Sequence, residues 1–177
     1  KKGVRTLLEA LPQVIAHHSE ARLTVAGSGP MEEELKDLAA KLGLTDKVNF
    51  LGMVAQSDLP GLYSRAALAV FPFIVAKSGD QEGFGLVQVE AMGCECPVIT
   101  GDLPAIHDII THEETGLIFP SGNTQALADA INGLLKNRDL RLRLAQEARR
   151  QVVKKYDWEV IAKKYMSVYE KLIADEG

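Results

Sequence analysis

Short runs rich in β-branched and aliphatic residues alternate along this chain with longer segments of helical period, and a glycine or proline stands at the end of each run. Gly3 to about His18 sets Val4, Leu7, Leu8, Leu11, Val14 and Ile15 at helical spacing, with Pro12 as a kink or break. The run Arg22–Ala26 stops at Gly27, Lys47–Leu51 at Gly52, Ala67–Phe71 at Pro72 and Pro97–Thr100 at Gly101. Between them the spacing predicts an amphipathic helix from Met31 to Leu42 stopped by Gly43, and a short helix capped by Ser57 and running through Arg65. Leu86–Met92, free of Gly, Pro and Asn, predicts another helix. Beyond Thr100 come a short helix near Ala105–Ile110, a small strand at Gly116–Phe119, and helices near Thr124–Lys136, Leu140–Lys154 and Trp158–Ile173. Such alternation predicts an α/β fold, a parallel sheet with helices on both faces.

A chain of 177 residues, 46% hydrophobic, has material for one substantial core. Its net charge of -4 argues against a nucleic-acid surface, which needs a basic excess. Basic residues do gather between Lys136 and Lys155, including Arg138, Arg141, Arg143, Arg149 and Arg150. Leucines interleave with them, so a solvated helix face is expected, with an anionic membrane or partner surface as the alternative. Cys94 and Cys96 stand alone, without histidines at ligand spacing, and predict reduced thiols, no metal site and a reducing cytoplasm. There is no signal-peptide pattern and no transmembrane run, and the abrupt start at Lys1-Lys2-Gly3 suggests a fragment.

The junctions Gly27–Pro30, Gly52–Gln56, Phe73–Gly85 and Gly101–Ala105 each follow a strand, the edge where open α/β sheets bind ligands. One of them carries most of the chemistry. Gly83-Phe84-Gly85 is a flexible turn leading into the Leu86–Met92 helix, so unpaired N–H groups and the positive end of the helix dipole face an open loop. That arrangement holds a phosphate. Glu82 and Glu90 frame it, and since carboxylates repel a bare phosphate, they point to a ligand with hydroxyls on both sides of its phosphates: a nucleotide sugar. The Gly27-Ser28-Gly29-Pro30 turn is no dinucleotide fingerprint, because Glu32 stands where G-x-G-x-x-G needs its third glycine.

The run E-G-F-G-L-V-Q-V-E-A-M-G-C-E-C-P-V-I resembles the E-x7-E signature of the retaining glycosyltransferases of family four, and the order of segments from Lys2-Gly3 to Trp158 fits as well. The resemblance implies one half of a GT-B fold, a Rossmann-like nucleotide-sugar-binding domain over residues 1–177, with the N-terminal acceptor domain absent. It implies a catalytic or sugar-binding role for Glu82 and a ribose role for Glu90. Gly83, Phe84 and Gly85 would approach the sugar, and the amides of Leu86 and Val87 the diphosphate, their side chains packing inward. Lys2 would be the phosphate-binding lysine, or else a frayed terminal residue. Gly27 would shape the wall of the cleft, and Met53 and Val54 would pack on the base or within their loop.

The implied activity is hexosyl transfer with retention from a UDP- or GDP-sugar, without a metal, toward a polysaccharide or glycolipid. Membrane contact is expected only through the absent half, at the inner face of a membrane. A GT-B epimerase half and a non-catalytic nucleotide-binding domain are the alternatives. The sequence departs from the family's glycine pair at Pro104-Ala105, and His107 replaces a common proline, which puts donor-sugar specificity in question. Trp158, Tyr165 and Tyr169 read as core, or as an apolar patch on a helix that crosses to the absent half.

Overall fold

The computed structural model describes residues 1–175. In chain order these form α1 (Val4–His17), β1 (Leu23–Ala26), α2 (Glu32–Lys41), β2 (Val48–Gly52), α3 (Leu59–Arg65), β3 (Ala69–Phe71), α4 (Leu86–Gly93), β4 (Val98–Gly101), β5 (Leu117–Phe119), α5 (Thr124–Lys136), α6 (Arg138–Lys155) and α7 (Trp158–Asp175). The strand pairings are parallel and fall into two sets, β1 with β2 and the order β3-β4-β5. The α/β architecture expected from the alternation is therefore present.

Strand β4 shows how the helices divide between two faces. Successive side chains of a strand point to opposite sides. Val98 joins a cluster containing Val89, Ala91 and Met92 of α4 and Ala148 of α6. Its neighbour Ile99 joins Leu8 and Leu11 of α1 and Leu127 and Leu134 of α5. Both are fully buried, as a central parallel strand covered on both faces requires. Phe50 of β2, Val70 of β3 and Leu117 of β5 pack against the second of these clusters, which thus spans both sets of strands.

Several boundaries differ from the sequence reading, each for a local reason. Pro12 lies inside α1, which runs through it unbroken. Ser57 is not the cap of α3: a 3-10 turn at Gln56–Asp58 precedes the helix, Asp58 occupies the cap position without a side-chain bond, and Pro60 presets the first turn. The helix expected near Ala105–Ile110 is a 3-10 turn at Pro104–Asp108. Helix α6 starts at Arg138 because Asn137 ends α5 and caps α6 together, its side chain accepting from the N–H of Leu140 at 3.0 Å.

The basic stretch is more than a solvated face. Arg141 donates to the carbonyls of Leu134 and Leu135 at the end of α5, at 2.5 and 2.6 Å, and Arg143 reaches the carbonyl of Glu113 at 3.2 Å. Arg149 donates to the carbonyl of Gly93 at the end of α4. Cations there satisfy orphan carbonyls and oppose the negative end of the dipole. The reading of Trp158, Tyr165 and Tyr169 as core does not hold, since they are 85%, 64% and 59% exposed. The apolar stripe of α7 has little to pack against among the described residues, where α6 is its main neighbour. No helix among these residues is long and apolar enough to cross a membrane.

Two close contacts test this packing. A Cβ at Gly101 would lie 2.2 Å from the backbone oxygen of Phe73, so Gly101→Ala should destabilise the chain by about 1–3 kcal/mol, read as a lower urea midpoint at unchanged slope. Gln88 is fully buried on α4, and neither its amide oxygen nor its amide nitrogen has a hydrogen-bond partner among the described residues. Removing an unsatisfied polar group while keeping its shape relieves its desolvation penalty. Gln88→Met should therefore raise stability by about 1 kcal/mol or more in the same titration; a loss would show that the amide is bonded in solution.

Candidate functional site

The first residues of the chain are anchored rather than frayed. The N–H of Ile74 donates to the carbonyl of Lys1 at 3.0 Å. Gly3, with φ of 66°, lies so close to the carbonyl of Pro72 that an added Cβ would fall 1.7 Å from its oxygen. Only glycine combines that backbone conformation with that approach. Together they fix Lys2 beside the loop that leaves β3.

On that loop Lys2 meets Glu82, with Nζ and Oε2 2.5 Å apart, although 80 residues separate them in sequence. The Lys2 ammonium also stands over the ring of Phe73, 5.2 Å from its centroid. The Glu82 carboxyl is held below its ordinary range, first by the hydrogen bond to Lys2, with the backbone N–H groups of Phe84 and Gly85 adding to the effect and burial opposing it. A cation close to the start of α4 thus holds a single anion. In this structure the anion is the chain's own carboxylate.

The turn itself has a defined geometry. Gly85 caps α4 with φ of 75° and ψ of 53°, and a Cβ there would meet the Gln88 amide nitrogen at 2.4 Å and the Phe73 ring at 3.2 Å. Gly83 has open space around it. Phe84 is 42% exposed and sets its ring edge-on to Tyr156, with centroids 6.0 Å apart. Val87 packs half-buried against the core around α4, but the expectation that Leu86 also turns inward is wrong. Leu86, the first residue of α4, is 58% exposed.

Glu90 is half-buried, and its Oε2 is sealed from solvent without a hydrogen-bond partner among the described residues. A carboxylate oxygen in that state is an acceptor waiting for a donor. Tyr63 lies on the same flank, donating its hydroxyl to the carbonyl of Val87 at 3.3 Å; burial first, and the charge of Glu90 second, push its phenol up to about 12. Neither cysteine is in a disulfide, and burial pushes the Cys96 thiol up to about 12 and raises that of Cys94. Both shifts favour the protonated thiol at neutral pH.

A second group of expected residues gathers where β1 and β2 end. The N–H of Gly27 donates to the carbonyl of Gly52 at 2.7 Å, Met53 is 81% exposed and Val54 half-buried. After β4, His107 Nε2 lies 2.8 Å from Asp102 Oδ1, both exposed. The strands are parallel, so these loops leave the sheet at its carboxyl edge together with the β3 loop. Sequence reasoning missed Phe73, which is 2% exposed beneath Lys2, and Gln88. The apolar Phe-Pro-Phe context of Phe73 was the available signal.

Over residues 1–151 the sequence matches the family described as Glycosyl transferases group 1. It is 33% identical over 165 residues to a GDP-mannose-dependent alpha-(1-6)-phosphatidylinositol monomannoside mannosyltransferase of Mycobacterium tuberculosis, covering 93% of this chain and 43% of that protein. Among solved structures it is similar to sucrose-phosphate synthase from Thermosynechococcus elongatus, with a TM-score of 0.86 and 31% identity, covering 99% of this chain and 43% of that one. Anabaena HepE, solved with UDP and glucose, superposes with a TM-score of 0.82 at 25% identity, covering 96% and 45%. The chain spans less than half the length of these relatives. By the extent of the family match and these identities, the chain belongs to the group 1 glycosyl transferases and has the fold of one half of a GT-B enzyme.

Proposed function

We propose that this chain is the donor-binding half of a retaining hexosyltransferase that uses a UDP- or GDP-sugar and acts with a second, acceptor-binding half. The observation that carries this reading is the pairing of the Lys2 cation, close to the start of α4, with a buried, unpartnered acceptor on Glu90 of the same helix. A nucleoside diphosphate satisfies both requirements at once: its phosphates suit Lys2 and the peptide amides, and its ribose hydroxyls suit Glu90 Oε2. Relatives support the ligand class, one being described as GDP-mannose-dependent and another solved with UDP and glucose.

The chemistry assigned to each group follows from charge. A departing diphosphate accumulates negative charge, and a cation held beside oriented N–H groups stabilises it with little reorganisation. Lys2 supplies that cation, so the reading requires no metal. Glu82, placed between the phosphate site and the open loop, would contact the transferred sugar near the reacting carbon. Met53, exposed at the end of β2, and Gly27 beside it would meet the base and the wall of the cleft. A protein acting on this donor for lipid or polysaccharide synthesis would work in the cytoplasm, at the inner face of a membrane.

Isothermal titration of the chain with UDP and with GDP is the direct test. One of the two should bind, and Glu90→Ala should weaken that binding by about 10- to 100-fold, the worth of a charged hydrogen bond to a ribose hydroxyl. Equal affinity in both proteins would remove the ribose role. In a thermal melt, ligand at about 100 times its dissociation constant should add about 2.7 kcal/mol of stability to the unaltered chain.

A further inference from the structure

The cation beside the start of α4 is already paired, with Glu82. Its side chain is 15% exposed and its Oε2 lies 2.5 Å from the Lys2 ammonium. A second anion on the same ammonium would stand a few Å from the carboxylate, and like charges that close repel. From this geometry we propose that Glu82 is a resident competitor for the donor's phosphate: nucleoside diphosphate binds by exchange, displacing the carboxylate from Lys2.

The surrounding chain is arranged for such an exchange. Glu82 sits between Gly79, with φ of 85°, and the Gly83–Gly85 turn, and Gly83 has free space on the side where a Cβ would project. The loop before it holds its shape independently of the carboxylate. The N–H of Ala76 donates to the carbonyl of Asp80 and the N–H of Gly79 to the carbonyl of Ala76, each at 2.8 Å, while Asp80 pairs with Lys1 at 3.0 Å. Glu82 can therefore swing out without unfolding the loop that carries it.

The exchange has a consequence for specificity, which rests on the donor-site reading above. A nucleoside diphosphate without a sugar evicts Glu82 into solvent and offers it nothing in return. A nucleotide sugar brings hydroxyls to the place beside the phosphate, and the displaced carboxylate can accept hydrogen bonds from them. Glu82 thereby weakens the hold on the spent nucleotide more than on the intact donor, so it favours product release as well as donor selection.

The test is titration calorimetry with UDP and GDP on the unaltered chain, Glu82→Gln, Glu82→Ala and Asp80→Asn, with a melting curve to establish that each is folded. Removing the competing charge should tighten binding of the nucleoside diphosphate by about two- to fivefold in both Glu82 variants. Asp80→Asn removes an acidic charge two residues away that pairs only at the surface, and should leave affinity unchanged. If the unaltered chain binds and the Glu82 variants bind equally or more weakly, the exchange is refuted while the donor site stands. If Asp80→Asn tightens binding as much, the effect is one of net charge and the exchange is again refuted. If no form binds either nucleotide, the donor-site reading fails and the exchange with it.

Discussion

The ring and backbone of Phe73 tie together the segments from which the site is built. Its ring lies under the Lys2 ammonium and against Gly85, the cap of α4. Its backbone oxygen accepts from the Ser121 hydroxyl at 2.9 Å, and sits so close to Gly101 that only a glycine fits there. Lys2, the β3 loop, α4, the β4 exit and the turn after β5 are far apart in sequence and meet at this one buried residue. A packed interior resists small displacements, so a shift at any of these segments is felt by the others. The position of the cation relative to the amides is set in this way, by packing beneath the site more than by contacts within it.

The same helix that serves the core also carries the unsatisfied groups. Val89, Ala91 and Met92 of α4 are buried in the cluster against β4, while Gln88 and Glu90 place unpartnered polar atoms on other sides of it. Local rules that a fold normally obeys are broken where a ligand is expected to complete them. For Glu90 the proposed completing group is a ribose hydroxyl of the donor. For Gln88 the ligand reading offers nothing direct, since its amide lies beneath Gly85, and the stability change on replacing it decides whether it is a defect or a support.

Much of the architecture was legible because it depends on local pattern. Runs of β-branched and aliphatic residues, helical spacing and glycine or proline stops located the strands and helices to within a few residues, and the Glu82 to Glu90 segment lies after β3, at the carboxyl edge of its strands. What escaped depends on distance in sequence. No pattern near residue 2 or residue 82 reveals that Lys2 and Glu82 form an ion pair, because the pair exists only once Gly3 is pressed on Pro72. The arginines of α6 read as solvated since their partners are backbone carbonyls, which sequence does not display. Trp158, Tyr165 and Tyr169 read as core by residue type, yet an amphipathic stripe states only that a helix wants a partner, not that the partner is present.

Those arginine contacts bear on the site through the electrostatics of α4. A helix of eight residues, Leu86 to Gly93, has orphan carbonyls at one end and orphan N–H groups at the other. At the carboxyl end Arg149 bonds the carbonyl of Gly93 and lies near Glu95, at 3.7 Å, so the negative pole is satisfied from within the fold. At the amino end no side chain among the described residues bonds the first N–H groups, and Lys2 and Glu82 stand beside them as an ion pair. The fold thus neutralises one pole of α4 permanently and leaves the other to an anion that can be exchanged. An anchored end and an open end on one short helix allow a ligand to come and go without loosening the core on which the helix rests.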